Sequence, residues 1–241
     1  MDPIRPNNGA SRKPGAGHFQ LIGTAFMIGK PAIFLTARYC LYKDNQNTDP
    51  WIDLIGVAHH ALHVKWSTYV DGTDVAIGQL DMSDVDCHDC ANHRVMSLCT
   101  WTPIEKELVC HWGCDPSVIE VKDQAAGDYQ LACQLKLRGS NGLFIEQLPK
   151  YPPFTNNPCH VTSAIIPHGS SGGPVTLSTG QVCAISTSGS DFGRYSVVSL
   201  VKDALNAMVP PHFRLNNDGK GRKQTFEQLL TEFGLKVLKG S

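Results

Sequence analysis

The chain has 241 residues and a formal net charge of −1, with 21 Lys and Arg against 22 Asp and Glu. Such a balanced charge creates no general attraction to nucleic acid or to anionic membranes, so neither is an expected partner. The sequence has no apolar run of about 18 residues, and we therefore expect no membrane-spanning helix. The length allows a sizeable buried core.

The first seventeen residues are rich in Pro, Gly, Asn and basic side chains and lack the apolar stretch of a secretory signal. We therefore expect residues 1–17 to form a flexible arm. The chain has nine cysteines, an odd number. Without a signal sequence, reduced thiols and a cytoplasmic location are expected.

From residue 19 to about residue 200 the sequence consists of short apolar or β-branched segments separated by turn residues. Three turns are predicted, at Asp71-Gly72, Asn141-Gly142 and Thr179-Gly180. The predicted strands cover residues 19–27, 32–35, 52–64, 75–80, 94–98, 107–112, 118–121, 129–137, 143–147, 160–166, 175–177, 182–186 and 195–198. Many short strands at this spacing predict an all-β fold of barrels or a sandwich.

Beyond residue 200 the pattern changes to helix. Residues 200–208 predict one helix, and residues 225–233 predict an amphipathic second helix in which Thr225 and Gln228 form a capping box. One face of that second helix carries Phe226, Leu229, Leu230 and Phe233. Two interpretations remain open, because this face can pack on the protein's own core or dock a partner.

Residues 169–174 read Gly-Ser-Ser-Gly-Gly-Pro between two β-branched segments. Glycine permits close backbone approach and positive φ, so this stretch predicts a tight loop that exposes Ser171. A serine hydroxyl beside converging N–H groups is the arrangement that acyl transfer requires. The alternative is a turn that has no chemical role.

Three blocks together resemble the trypsin-like (chymotrypsin-fold) serine peptidases, in particular the intracellular and bacterial branch of high-temperature-requirement type. They are residues 23–40, which include Phe-Leu-Thr-Ala-Arg-Tyr-Cys, residues 73–77, which read Thr-Asp-Val-Ala-Ile, and the Ser171 block with residues 181–186. The resemblance spans roughly residues 17–200. It implies two six-stranded antiparallel β-barrels, over residues 18–102 and 103–200, followed by C-terminal helices over 201–241.

The resemblance also implies roles for individual residues. Ser171 would be the nucleophile, Asp74 the orienting carboxylate, and the N–H groups of Gly169 and Ser171 the oxyanion hole. Tyr39 occupies the position of the family's catalytic histidine. The resemblance places the substrate pocket at four residues: Ile165, His168, Ser186 and Ser188.

The residue at position 39 determines the expected chemistry. Imidazole accepts the serine proton because its pKa lies near 6.5, whereas a phenol with a pKa near 10 stays protonated at neutral pH. We therefore expect a catalytically impaired pseudoprotease that binds a peptide or protein in the groove between the barrels, and a phenol that donates a hydrogen bond to Asp74. The alternative is an active serine endopeptidase that cleaves through Ser171.

Four cysteines, Cys87, Cys90, Cys110 and Cys114, approach the spacing of zinc ligands. Cys110 and His111 also fit the first strand of the second barrel, which would direct their side chains to opposite faces. We expect neither a metal nor a cofactor, and a zinc-stabilised interaction module is the third alternative.

Overall fold

The computed structural model describes residues 22–29, 32–43, 46–47, 51–53, 61–82, 95–124, 128–148, 159–167, 169–189, 195–209, 224–235 and 237–239. Over residues 115–136 it describes the path of the backbone. The predicted N-terminal arm, His168, Cys87 and Cys90 lie outside these ranges. The described part of the chain is mostly β-structure with few helices.

The N-terminal part forms a five-stranded antiparallel sheet in the order β1-β2-β7-β6-β5. Its elements are β1 (Ala25–Gly29), β2 (Ile33–Ala37), α1 (Arg38–Leu41), β3 (Tyr42–Lys43), β4 (Gln46–Asn47), β5 (Trp51–Asp53), β6 (Ala61–Tyr69) and β7 (Val75–Leu80). The short strands β3 and β4 pair only with each other. Every residue of β2 is buried, which explains its continuous run of apolar and Thr side chains.

The C-terminal part forms a closed six-stranded barrel. Its strands are β9 (Leu108–Gln124), β10 (Asp128–Leu148), β11 (Cys159–Thr162), β12 (Pro174–Leu177), β13 (Val182–Gly189) and β14 (Ser196–Leu200). The short strand β8 (Leu98–Cys99) precedes them in the chain and pairs with β13 outside the barrel. The strands follow the order β12-β9-β10-β11-β14-β13, and pairing of β13 with β12 closes the barrel. One six-stranded barrel is therefore present, whereas the described N-terminal strands form a five-stranded sheet.

The predicted turn at Asn141-Gly142 is wrong. These two residues lie inside β10, opposite Cys110 and Val109 of β9. A Cβ atom at Gly142 would collide with the backbone of Ala164, so this glycine permits a close approach between chain segments instead of a reversal. The turns at Asp71-Gly72 and Thr179-Gly180 are confirmed, with φ of 68° at Gly72 and 83° at Gly180.

The remaining elements are α2 (Val201–Leu205), β15 (Met208–Val209), β16 (Gln224–Thr225), α3 (Phe226–Glu232) and β17 (Val237–Leu238). The capping box at the start of α3 is confirmed, because Thr225 and Gln228 each bond the other's backbone N–H. Among the described helices, none is long and apolar enough to cross a bilayer.

The largest apolar cluster joins both β units and the C-terminal helices. Phe226, Leu229 and Leu230 of α3 are fully buried in it, with Ile33 and Ile77 from the five-stranded sheet. The cluster also contains Val182 and Ile185 of β13. The apolar face predicted for the last helix is thus covered by the protein's own core.

Candidate active site

Ser171 lies on a loop between β11 and β12, where the six-stranded barrel meets the N-terminal sheet. Gly169 and Gly172 both have a φ of +88°, a conformation that side chains with a Cβ rarely adopt. The Gly172 N–H donates to the Ser186 carbonyl at 2.6 Å, and the Ser186 N–H donates to the Gly173 carbonyl at 2.9 Å. These bonds attach the loop to β13 and fix the backbone directly after Ser171.

Two N–H groups of this loop remain available for a ligand. Among the described residues, none accepts a hydrogen bond from the N–H of Gly169 or Ser171. Ser171 is only partly buried, while Gly169 and Gly172 on either side of it are buried. The loop therefore offers a partly accessible hydroxyl together with two uncommitted backbone donors.

Thr24 connects the loop to the N-terminal sheet. Its N–H donates to the Ser171 carbonyl at 2.6 Å, and its hydroxyl donates to the Gly169 carbonyl at 2.8 Å. The same hydroxyl oxygen accepts the N–H of Cys114 from β9 at 2.9 Å. Thr24 belongs to the first block of the resemblance, but nothing in the sequence alone indicates that it contacts the Ser171 loop.

Tyr39 lies on α1, directly after β2, and reaches across to β13. Its hydroxyl donates to the carbonyl of Thr187 at 2.8 Å. Pairing between β13 and β14 shifts register between Ser186 and Ser188, so Thr187 is the bulged residue of the strand. The bulge frees a backbone carbonyl for the phenol, a feature that sequence reasoning did not find.

The surroundings of Tyr39 keep its phenol protonated. Burial of the hydroxyl raises its pKa well above the usual 10, and the proximity of Cys40 and Asp74 raises it further. A hydrogen-bonding interaction with the Ser171 side chain acts in the opposite direction but is outweighed. Tyr39 therefore lies close to both Ser171 and Asp74.

Asp74 lies in the turn before β7. Its backbone carbonyl accepts the N–H of Arg38 at 2.8 Å. Burial raises the pKa of the carboxyl group to about 6, and the Arg38 guanidinium partly offsets the rise. The expected hydrogen bond from Tyr39 to Asp74 is not formed, because the phenolic proton points to Thr187 instead.

The four predicted pocket residues differ in exposure. Ile165 is 57% exposed and Ser188 is partly exposed, so both can contact a ligand. Ser186 is fully buried and its hydroxyl is 3.0 Å from His111 Nδ1, so its assignment to an open pocket is wrong. His168 lies outside the described residues.

His111 is a buried residue that supports the site from within the barrel. Its Nε2 is 2.9 Å from the Thr162 hydroxyl, while Nδ1 faces Ser186. Burial lowers the pKa of this imidazole to about 4, so it is neutral in the folded protein. The strand alternation predicted that His111 and Cys110 face opposite sides, and only His111 is fully buried.

The zinc hypothesis gains no support from the described residues. Cys110 and Cys114 both lie on β9, and no group of three His, Cys, Asp or Glu side chains in the described ranges could hold a metal. Cys110 contacts the carbonyl of His111 at 3.8 Å, and Cys114 is buried. The other two candidate ligands, Cys87 and Cys90, lie outside the described residues.

Neither a protein-family model nor a curated protein matches this sequence. Solved structures share its fold. The HtrA-type protease AlgW with a decapeptide superposes with a TM-score of 0.54 and 16% identity, over 77% of this chain and 50% of that one. The Rv3671c protease from M. tuberculosis in its active form gives a TM-score of 0.50 and 14% identity, over 90% of this chain and 76% of that one.

A variant of AlgW with a decapeptide gives similar values, a TM-score of 0.55 and 15% identity, over 77% of this chain and 49% of that one. This chain therefore spans about half the length of the AlgW chains. At these identities the comparison shows that the chain has the fold of trypsin-like serine proteases.

Proposed function

We propose that this chain binds a peptide or protein segment in the groove beside Ser171 and that Tyr39 impairs its hydrolysis. Tyr39 stands, in this proposal, where trypsin-like proteases have the catalytic histidine, and the N-terminal sheet is part of a second six-stranded barrel. The hydrogen bond from the Tyr39 hydroxyl to the Thr187 carbonyl carries the proposal.

The chemistry of the phenol supports an impaired hydrolytic step. A serine hydroxyl attacks an amide only if a neighbouring group accepts its proton, and a base works best with a pKa near the operating pH. The Tyr39 phenol has a pKa well above 10 and holds its proton against the Thr187 carbonyl. At neutral pH it is a hydrogen-bond donor and cannot act as that base.

Asp74 does not replace the missing imidazole. Its carboxyl has the environment of a buried acid, with a pKa raised to about 6. In a complete triad the carboxylate acts through the histidine that it orients, and it takes no proton itself. With Tyr39 hydrogen-bonded to Thr187, that connection from Asp74 to Ser171 is absent among the described residues.

The groove itself has features suited to an extended peptide. The uncommitted N–H groups of Gly169 and Ser171 would bind a carbonyl oxygen, as an oxyanion hole does. Ile165 offers an exposed apolar surface nearby in the chain. The AlgW structures hold a decapeptide, which makes a peptide the ligand class to test first. Docking through α3 is not part of the proposal, because its apolar face is buried.

A second function, active endopeptidase through Ser171, is favoured by one observation. The loop retains both positive-φ glycines and two free N–H donors, which is the backbone arrangement that acyl transfer requires. This function needs a base that is not among the described neighbours of Ser171.

Peptide retention tests the proposal and separates the two functions. The immobilised chain is incubated with a mixed peptide library, and bound and unbound fractions are analysed by mass spectrometry. We expect intact peptides to be retained, and we expect Ile165→Arg to reduce retention at least fivefold. Ile104→Arg is the matched control, because Ile104 is also an exposed isoleucine, at 73%, but lies outside the groove. Cleaved peptides would establish the endopeptidase, and absence of both retention and cleavage would contradict both functions.

A further inference from the structure

The two β units are linked on both sides of Ser171. On the buried side, the Thr24 N–H donates to the Ser171 carbonyl at 2.6 Å, and the Thr24 hydroxyl donates to the Gly169 carbonyl at 2.8 Å. On the side of the Ser171 hydroxyl, the Tyr39 phenol interacts with that hydroxyl and donates to the Thr187 carbonyl at 2.8 Å. Ser171 therefore lies between two connections that join the N-terminal sheet to the barrel.

The two connections differ in strength. Thr24 is buried, and the missing Cβ of Gly172 lets its carbonyl and the Thr36 hydroxyl approach the loop closely. Tyr39 is 41% exposed and is joined to β13 by a neutral hydrogen bond from its side chain. Such a bond changes an equilibrium by a factor of only roughly two to ten, because water competes for both partners. The Tyr39 connection is thus the one that can open while the Thr24 connection stays intact.

The acceptor of the Tyr39 bond is fixed, whereas its donor can move. Thr187 is fully buried, and its hydroxyl donates to the carbonyl of Val197 on β14 at 3.0 Å. Tyr39 belongs to α1, which has four residues and no side-chain cap at its start. Rotation of the phenol to another side-chain rotamer is sufficient to break the bond. Opening therefore needs no rearrangement of β13.

The phenol also occupies space that a bound peptide needs. In the proposed function a peptide carbonyl binds the N–H groups of Gly169 and Ser171. That carbonyl would lie beside the Ser171 hydroxyl, with which the Tyr39 phenol interacts in this structure. An extended peptide also presents backbone N–H groups, which can bond the Thr187 carbonyl in place of the phenol. Displacement of Tyr39 by a peptide thus leaves this buried acceptor paired.

We propose that the Tyr39–Thr187 hydrogen bond is a latch that closes the groove in the peptide-free protein and opens when a peptide displaces the phenol. The proposal rests on the proposed binding of a peptide beside Ser171. A closed latch lowers the apparent affinity in proportion to the fraction of molecules in which the groove is open. Removal of the latch should therefore strengthen peptide binding.

Removal of the phenolic hydroxyl tests the latch. The immobilised unmodified chain and Tyr39→Phe are incubated with the same mixed peptide library, and fluorescence anisotropy then gives the dissociation constant of the peptide that either retains most strongly. We expect Tyr39→Phe to bind this peptide about three- to tenfold more tightly. Tyr42→Phe is the matched control, because it loses a phenolic hydroxyl that lies 2.8 Å from the Ser67 hydroxyl within the N-terminal unit. We expect its dissociation constant to equal that of the unmodified chain.

The outcomes distinguish the latch from the proposed function. Equal affinity of Tyr39→Phe and the unmodified chain contradicts the latch and leaves peptide binding in place. Weaker binding by Tyr39→Phe also contradicts the latch, because the hydroxyl would then contribute to the bound state. Absence of retention by both proteins contradicts the proposed function and the latch together. Circular dichroism of each variant verifies that the chain is folded.

Fluorine NMR follows the displacement itself. The chain is produced with 3-fluorotyrosine at its six tyrosines, and the spectra of Tyr39→Phe and Tyr42→Phe assign two of the signals. We expect a saturating amount of the retained peptide to shift the Tyr39 signal and to leave the Tyr42 signal in place. A Tyr39 signal that does not move when the peptide binds would overturn the proposal.

Discussion

In the proposed function one residue, Tyr39, changes the chemistry of the site that contains Asp74. In the trypsin-like arrangement a carboxylate next to an imidazole is useful because the imidazole becomes charged during the reaction. Here the neighbour is a neutral phenol that bonds Thr187, so burial dominates and raises the pKa of Asp74 to about 6. The ionised carboxylate therefore lowers the free energy of unfolding at neutral pH.

Replacement of Asp74 by Asn should therefore stabilise the protein. The folded pKa of Asp74 is raised from 3.8, so between about pH 4 and pH 6 the folded chain holds a proton that the unfolded chain has lost. The free energy of unfolding falls as pH rises through that window, and the deficit persists above it. We expect Asp74→Asn to add about 1–3 kcal/mol at pH 7.5 and about half as much at pH 5. Urea denaturation at both pH values measures this, with the exposed Asp71→Asn as control. A lower free energy of unfolding for Asp74→Asn than for the unmodified protein at pH 7.5 would contradict this prediction.

At the scale of elements, His111 ties together three strands of the barrel. It lies on β9 and contacts Thr162 of β11 and Ser186 of β13, and the Ser186 carbonyl accepts the N–H of Gly172 in the Ser171 loop. Burial disfavours the charged imidazole, and the neutral ring can donate to one of these hydroxyl groups and accept from the other. The position of the loop therefore depends on a residue with no access to substrate.

Acidification should weaken the protein through His111. Its folded pKa of about 4 lies below the usual value of 6.5, so between these two pH values the unfolded chain binds a proton that the folded chain does not. Stability is lost as pH falls from about 6.5 to about 4, the opposite sign to Asp74. Between pH 7 and pH 5 we expect the unmodified protein to lose roughly 2 kcal/mol more unfolding free energy than His111→Gln. Urea denaturation of both proteins over this pH range gives the free energy of unfolding as a function of pH. The same pH dependence in both proteins would contradict the prediction.

Several features of these elements could be predicted from sequence because they are local. The capping box of α3 depends on residues three positions apart, and the turns at Asp71-Gly72 and Thr179-Gly180 need only short-range backbone geometry. The error at Asn141-Gly142 has the opposite cause, because the same dipeptide serves a close approach to Ala164 from a distant segment. Thr24 and the bulge at Thr187 were missed for this reason too, since their roles arise only when distant segments meet.

At the scale of the whole molecule, one core unites parts that the sequence divides into separate domains. α3 follows the barrel in the chain, yet its side chains are buried among residues of β2, β7 and β13. Trp66 of β6 also stacks on Phe233, with ring centroids 5.4 Å apart. The C-terminal helix is thus part of the support that holds the two β units against each other around Ser171.

Truncation of Leu229 should accordingly destabilise the whole protein. Leu229 is fully buried in the shared core, and we expect Leu229→Ala to lower the free energy of unfolding by about 2–5 kcal/mol. Thr231→Ala on the exposed side of the same helix should change it by less than about 1 kcal/mol. Chemical denaturation followed by fluorescence compares the two. Equal effects would show that α3 does not contribute to the core.

The central claim is that Tyr39 alone prevents Ser171 from acting as a nucleophile. A serine-reactive fluorophosphonate probe measures this directly on the unmodified chain, on Tyr39→His and on Ser171→Ala as the blank. We predict that Tyr39→His is labelled at Ser171 at least a hundredfold faster than the unmodified chain, because an imidazole supplies the missing base. Rapid labelling of the unmodified chain at Ser171 would contradict the account, and so would a Tyr39→His variant that stays unlabelled although it folds.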